Sequence, residues 1–329
     1  IGVIVFLCAV YSSVLKVRFK KKLTPDLRFQ KELFDIHAVI ELAKVGVWNS
    51  VSQLNQILFT GLDLLIANLF LGAEDMSILS IAKTLPVMLI SLIGVIAGAF
   101  YPTLTISYST RSKEEFFAET NFASKMCGFL CSVPVIGIAV FGGDFFSLWL
   151  PTLTAEEIRL VQILAILTLL PQAFSIYIFP LNQINTILCR VRLPAVIDGI
   201  IGVVNIIVVY LLLKFTNLGL YAIAGVSSCL LLLRIILFVP VYAAHNIGVK
   251  KTAFYPILLR GILLDAAAVL LCAAVRSMFV IDSWLGLFAS AIPAAAVSYA
   301  AGFFLIFSKS ERKKAFTVVR EKLQKEERT

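Results

Sequence analysis

Histidine is almost missing from this chain, and charge is scarce. Only His37 and His245 occur among 329 residues, and Asp, Glu, Lys and Arg together make up 15%. No Walker-type lysine loop, no GxSxG and no HExxH occurs, and no long polar stretch is present to build an extramembrane nucleotide-sugar site. ATPase, hydrolase and conventional glycosyltransferase chemistries therefore lack their residues. No CxxC pair occurs either. Cys8, Cys127, Cys131, Cys189, Cys229 and Cys272 lie in or beside apolar runs, and Cys127 and Cys131 share one helix face. With both histidines expected in cytoplasmic loops, a metal site has almost no ligands to draw on, so the cysteines are expected to be small buried packing residues. The chain is read as a non-enzyme with no catalytic residue, no metal and no cofactor.

What is abundant is apolar surface. Sixty per cent apolar residues and a mean hydropathy of +0.94 exclude an ordinary soluble domain and imply a polytopic all-α membrane protein. Runs of spanning length fall at about nine places: 1 to 15, 45 to 71, 78 to 107, 121 to 141, 157 to 180, 195 to 213, 220 to 242, 257 to 280 and 284 to 307. The chain opens with Ile rather than Met, inside an apolar run. No basic start precedes that run and no small-residue cleavage site ends it, so the chain is expected to be a fragment whose N-terminal part is missing, and the run is not read as a signal peptide.

The net charge of +9 is concentrated in two places. Lys16, Arg18, Lys20, Lys21, Lys22, Arg28 and Lys31 share one connection, and Lys309, Arg312, Lys313, Lys314, Arg320, Lys322, Lys325 and Arg328 share the tail. No aromatic platform interleaves them, which fits cytoplasmic segments beside anionic lipid and not nucleic acid. Alternate connections carry the remaining basic residues: Arg111 with Lys113, Arg190 with Arg192, and Lys250 with Lys251. The positive-inside rule then places the C-terminus in the cytoplasm. Residues 17–44 are expected to be a basic linker whose second half, from Leu33, lies along the membrane surface as an amphipathic helix. Residues 45–242 then form a six-helix lobe, 243–308 a separate helix pair, and 309–329 a basic tail. Pro86, Pro102, Pro134, Pro171 and Pro293 are expected to kink their helices. Phe145, Phe146 and Trp149, in the outer segment 142–151, are expected to form an interfacial aromatic belt.

One helix is unusual. Asn49, Gln53, Gln56, Thr60 and Asp63 recur at spacings of four and three within the span 45–71, which gathers them within about 80° of the helix circumference. Amides and a carboxylate are costly against lipid, so the stripe is expected to face protein or a wet cavity, where amides and hydroxyls suit sugar hydroxyls. Lys83 lies at a similar depth on the next helix, and two readings of Asp63 with Lys83 stand side by side: a structural ion pair, or a cavity pair for a coupling cation or an anionic group. Lys83 snorkelling to the outer surface is a third. Arg234 reads either as snorkelling to the cytoplasmic interface or as a phosphate contact. Asp198 is expected to be stabilised by its helix N-terminus and by Arg190 or Arg192. Arg260 is read as interfacial, and Asp265 as facing a neighbouring helix.

These residues also carry a resemblance. The stretch Asn55-Gln-Ile-Leu-Phe-Thr-Gly-Leu-Asp63-Leu-Leu-Ile-Ala-Asn-Leu-Phe-Leu-Gly72, then Ser80-Ile-Ala-Lys83-Thr-Leu-Pro86 and Tyr101-Pro102-Thr, resembles the start of the second lobe of bacterial polysaccharide flippases. These belong to the exporter superfamily that also holds multidrug exporters and lipid II flippases. Phe145-Phe-Ser-Leu-Trp149-Leu-Pro, Asn185-Thr-Ile-Leu-Cys-Arg-Val-Arg-Leu-Pro194 and Asn217-Leu-Gly219 continue it. The resemblance implies the last helix of a first lobe, a second six-helix lobe and two extra C-terminal helices. It implies alternating-access movement of a polyprenyl-diphosphate-linked oligosaccharide across the bacterial cytoplasmic membrane. Read together with the polar stripe, the expected substrate-cavity residues are Asn49, Gln53, Gln56, Thr60, Asp63, Lys83 and Arg234. Implied partners are the lipid-linked oligosaccharide, membrane lipids and other polysaccharide-assembly proteins. The alternatives are a cation-coupled multidrug exporter, a membrane-embedded polysaccharide polymerase and a non-transporting scaffold.

Overall fold

The structure, a computed structural model, describes residues 10–15, 34–309 and 311–312. The chain divides into two units, residues 1–47 and 48–329. In the smaller unit the described residues are helical at 10–15 and from Ile36 onward. There the Asp35 carboxylate accepts the backbone N–H of His37 at 2.8 Å and caps the start of α1 (Ile36–Phe70). Most of the expected first span, most of the basic linker and residues 313–329 of the tail lie outside the described residues.

In the larger unit the chain continues through α2 (Ala73–Gly98), α3 (Tyr101–Thr110), α4 (Lys113–Trp149), α5 (Ala155–Ile187), α6 (Arg192–Phe215) and α7 (Leu220–Leu233). A π-helical turn (Arg234–Phe238) leads into α8 (Val239–Ile247), followed by α9 (Tyr255–Arg276) and α10 (Trp284–Ile306). No strand occurs among the described residues. Seven helical stretches are long and apolar enough to cross a membrane: α2 with α3, then α4, α5, α6, α7 through α8, α9 and α10. The protein is an all-α, multi-pass membrane protein. In α1, Gly61–Phe70 is a shorter apolar helical segment among the described residues. The expected surface helix ending at residue 44 is absent as a separate element, since α1 runs without a break from Ile36 to Phe70.

Several helices outrun the apolar segments that mark them. With 37 residues, α4 is about 55 Å long, well beyond a hydrocarbon core of about 30 Å. It starts at a capping box in which Ser112 Oγ accepts the Glu115 N–H at 3.3 Å and Glu115 Oε2 accepts the Ser112 N–H at 3.1 Å. Thr154 and Glu157 repeat the device at the start of α5. At its C-terminal end α8 stops at Gly248, whose φ of 82° is readily reached without a Cβ. Pro86, Pro134, Pro171 and Pro293 lie inside helices as expected. Pro102 instead opens α3, where its missing N–H has no helical partner to lose.

Three buried clusters hold the larger unit together. One joins α4, α5, α8 and α9 around Tyr177, Ile176, Ile178 and Leu258. A second packs Ile66 and Ala67 of α1 with Leu79, Ala82, Phe146, Leu164, Val209 and Ile223. The third docks α9 and α10 on α4 through Ile136, Phe141, Ala268, Cys272, Leu287 and Ala294. Tyr177 shows how tightly the helices approach: a Cβ at Gly128 of α4 would lie 2.1 Å from its ring, and one at Gly261 of α9 would lie 2.5 Å away. Its hydroxyl reaches Asp265 Oδ1 at 2.8 Å and the Gly261 carbonyl at 3.1 Å. Asp265 thus meets a neighbouring helix, as expected, and Arg260 is exposed.

Some local expectations need correction. Phe145, Phe146 and Trp149 belong to the last turns of α4, not to a loop, and Phe146 is wholly buried. Cys127, Cys131 and Cys272 are buried, but Cys189 and Cys229 are exposed; Cys8 lies outside the described residues. His37 and His245 sit on α1 and α8 rather than in loops.

Candidate functional site

Asp63 lies in the second core cluster, where α1 meets α2, α6 and α7. It is 1% exposed, between Leu62 and Leu64 and one turn below Ile66 and Ala67. Four helices each send one polar side chain to this point. From α2 the Lys83 ammonium forms an ion pair with Asp63 Oδ2. From α6, Asn205 Nδ2 donates to Oδ1 at 3.4 Å. From α7, Ser227 Oγ lies 3.1 Å from both carboxylate oxygens and 3.2 Å from Asn205 Oδ1. The hydroxyl has one proton, so it serves these acceptors in turn. Lys83, Asn205 and Ser227 are all buried.

Such a pair is tolerable only because the geometry is complete. Two isolated charges in an apolar interior lose several kcal/mol each in desolvation, and their attraction recovers that only with extra hydrogen bonds on the carboxylate. Ser227 and Asn205 supply those bonds. The result is a neutral, enclosed knot that ties the C-terminal half of α1 to three neighbours. Lys83 points inward and does not snorkel.

The remaining stripe residues separate from Asp63. Gln53 is exposed and Asn49 is half-buried, while the side chains of Gln56 and Thr60 lie outside the described residues. Gln53 stands about 80° around the helix from Asp63, which is enough to turn it off the packed face. That face runs instead through Trp48 and Asn55. The Arg192 guanidinium lies 5.5 Å from the Trp48 ring centroid, and Asn55 Nδ2 donates to the Ala195 carbonyl at 2.9 Å. Together with Asp63 and Asn205, these contacts climb α1 and α6 side by side. Asn55 was not among the stripe residues.

Arg234 is held by a carboxylate of α6. Its Nη2 donates to Asp198 Oδ2 at 3.1 Å and its Nε pairs with Oδ1. Both groups are only partly buried. Asp198 was expected to be held by Arg190 or Arg192, but Arg190 donates to Asn246 Oδ1 at 3.0 Å instead, and Arg192 covers Trp48. Asp198 and Arg234 lie seven residues from Asn205 and Ser227 on the same two helices. The two polar rungs therefore join α6 to α7 two turns apart, about 10 Å along the helices.

The chain is similar to a Bacillus protein. It is 32% identical over 308 residues to the uncharacterized membrane protein EpsK of Bacillus subtilis (strain 168), an alignment covering 92% of this chain and 59% of that protein. The chain thus spans about three fifths of its relative's length. No protein-family model matches the chain, and no solved structure matches it significantly.

Asn205 and Ser227 were missed as site residues. Asn205 does leave a trace, a single amide inside the apolar run Ile200 to Leu213. Ser227 leaves none, because a serine can return its hydroxyl to its own helix. Among the described residues no group of three or more His, Cys, Asp or Glu side chains forms a metal site.

Proposed function

We propose that this chain forms the second lobe of a flippase that carries a polyprenyl-diphosphate-linked oligosaccharide across the bacterial cytoplasmic membrane by alternating access. The observation that carries this reading is the split of α1 into two faces. One face is tied down by the enclosed Asp63, Lys83, Asn205 and Ser227 knot. The other leaves Gln53 exposed and Asn49 half-covered beside it. Amides uncovered at membrane depth require a wet surface, and neutral donors and acceptors match sugar hydroxyls.

On this reading Asn49 and Gln53, with Gln56 and Thr60 on the same stripe, line the path of the glycan. Asp63 and Lys83 brace the wall from behind and do not touch substrate. No covalent step is assigned to any residue. A cation-coupled drug exporter is the weaker alternative, because the buried carboxylate already holds a fixed cation in Lys83. A polymerase is disfavoured by the short outer connections among the described residues, 71–72, 150–154, 216–219 and 277–283. Arg111, Lys113, Arg190, Arg192, Lys250, Lys251, Lys309 and Arg312 all fall at or near the helix ends on the opposite side, which supports a cytoplasmic C-terminus.

The test substitutes Gln53→Leu and Asn49→Leu in cells that depend on this protein for surface polysaccharide. Export should fall at least tenfold while membrane levels of the protein stay normal. Normal export from both single variants and from the double variant would sink the cavity assignment.

A further inference from the structure

The helix formed by α7, the π turn and α8 is pinned at its outer end and joined differently at its inner end. On α7, Ser227 enters the Asp63 knot and Ser228 Oγ donates to the Leu167 carbonyl of α5 at 2.6 Å. On α8, Tyr242 donates to the Arg190 carbonyl at 3.1 Å, and Asn246 Nδ2 donates to Asn185 Oδ1 at 3.0 Å. The inner end is thus fastened to the end of α5 and the connection after it, not to the knot.

Between these ends the helical ladder changes. Through Arg234–Phe238 it widens, and the N–H of Val239 bonds to the Arg234 carbonyl five residues back. The next residue, Pro240, has no N–H to return to the carbonyl four residues back, that of Ile236. A side chain from another helix supplies a donor: Tyr255, the first residue of α9, places its hydroxyl 2.9 Å from the Ile236 carbonyl oxygen. Arg234, at the start of the same turn, is held by Asp198 of α6. The Tyr255 hydroxyl replaces the missing backbone donor, and the Arg234 side chain ties the start of the turn to α6, so both fastenings of the turn come from neighbouring helices.

We propose that residues 234–240 are a hinge on which α8 swings at the inner face of the bundle, with two latches holding it closed. One latch is the Tyr255 hydroxyl on the Ile236 carbonyl; the other is the Asp198 carboxylate on the Arg234 guanidinium. The hinge lies between α7, pinned at the knot, and α8, so a swing of α8 leaves the buried Asp63 knot intact. This device depends on the hydrogen-bond geometry and not on what the protein transports.

Hydrogen-exchange mass spectrometry of the full chain in lipid nanodiscs tests it. Tyr255→Phe should accelerate exchange across 234–247 roughly three- to tenfold, the effect of losing one hydrogen bond, and leave 220–230 unchanged. Pro240→Ala restores the missing N–H, so exchange in that segment should slow. In the Pro240→Ala background, adding Tyr255→Phe should have no further effect. Asp198→Asn should loosen the same segment in either background. The hinge is overturned if Tyr255→Phe leaves 234–247 unchanged, if it accelerates 220–230 equally, or if its effect in the Pro240→Ala background equals that in the parent.

Discussion

Replacing Lys83 by Met leaves the Asp63 carboxylate in the core with only the Ser227 hydroxyl and the longer Asn205 contact. Breaking a buried pair from one side typically costs about 3–5 kcal/mol, because the abandoned charge stays desolvated. Asp63→Leu should cost a similar amount by stranding the ammonium. Removing both together is different: Lys83→Met with Asp63→Leu leaves no charge behind, and the neighbours Ile66, Ala67, Leu79 and Ala82 are already apolar. The double variant should therefore lie within about 2 kcal/mol of the parent, a coupling of several kcal/mol between the two sites. Reversible unfolding of the three variants and the parent in mixed micelles, followed by tryptophan fluorescence, completes the cycle. Additive losses would refute the view that the pair is a closed electrostatic unit. The same double variant bears on function: as a brace it should retain most export when folded, whereas a substrate-contacting pair would lose export despite normal stability.

Gly261→Ala and Gly128→Ala should each destabilise by about 1–3 kcal/mol or more through collision with the Tyr177 ring, and Tyr177→Leu should relieve much of either loss in thermal melts. After α10, Glu311 Oε1 meets Lys125 Nζ of α4 at 2.7 Å. Partial burial alone would raise the Glu311 pKa, but hydrogen bonds from Lys125 and Ser308 outweigh it and hold the carboxyl below its ordinary value. A depressed carboxyl stabilises the folded state above the ordinary carboxylate range, and that stability is lost as pH falls through the folded value. The contact of Glu311 with Lys125 should therefore hold at neutral pH and weaken in acid, and Glu311→Gln should flatten that dependence in exchange measurements around Glu311. With Cys189 as the sole retained cysteine, a membrane-impermeant maleimide should label inside-out vesicles and not intact cells; the reverse would invert the proposed topology.

Hydropathy was sufficient to place α4, α5, α6, α9 and α10, because a bilayer-length apolar run has few other uses. It placed their ends poorly. Hydropathy follows the lipid boundary, whereas α4 and α5 begin at the capping boxes of Ser112 with Glu115 and Thr154 with Glu157, outside the most apolar stretch. Those boxes are legible as S/T-x-x-E, so this part of the fold was available in the sequence. The polar stripe was legible too, as was the opportunity for Lys83 to meet Asp63.

What the linear pattern does not determine is rotation about each helix axis. A stripe about 80° wide contains both a residue that is enclosed, Asp63, and one that is exposed, Gln53; packing against α6 and α7 chooses between them. Likewise Arg234 has several carboxylates and a membrane interface available by sequence distance, and only the approach of α6 to the π turn selects Asp198. The gap left by Pro240 is visible in the chain, but the donor opposite it, Tyr255, lies fifteen residues on, across the α8–α9 connection. Sequence alone determined that this is a bundle of membrane-spanning helices with one helix too polar to face lipid. The tertiary structure decided which of its polar groups neutralise each other and which remain uncovered, because that depends on side-chain direction and on contacts between residues as far as 164 positions apart.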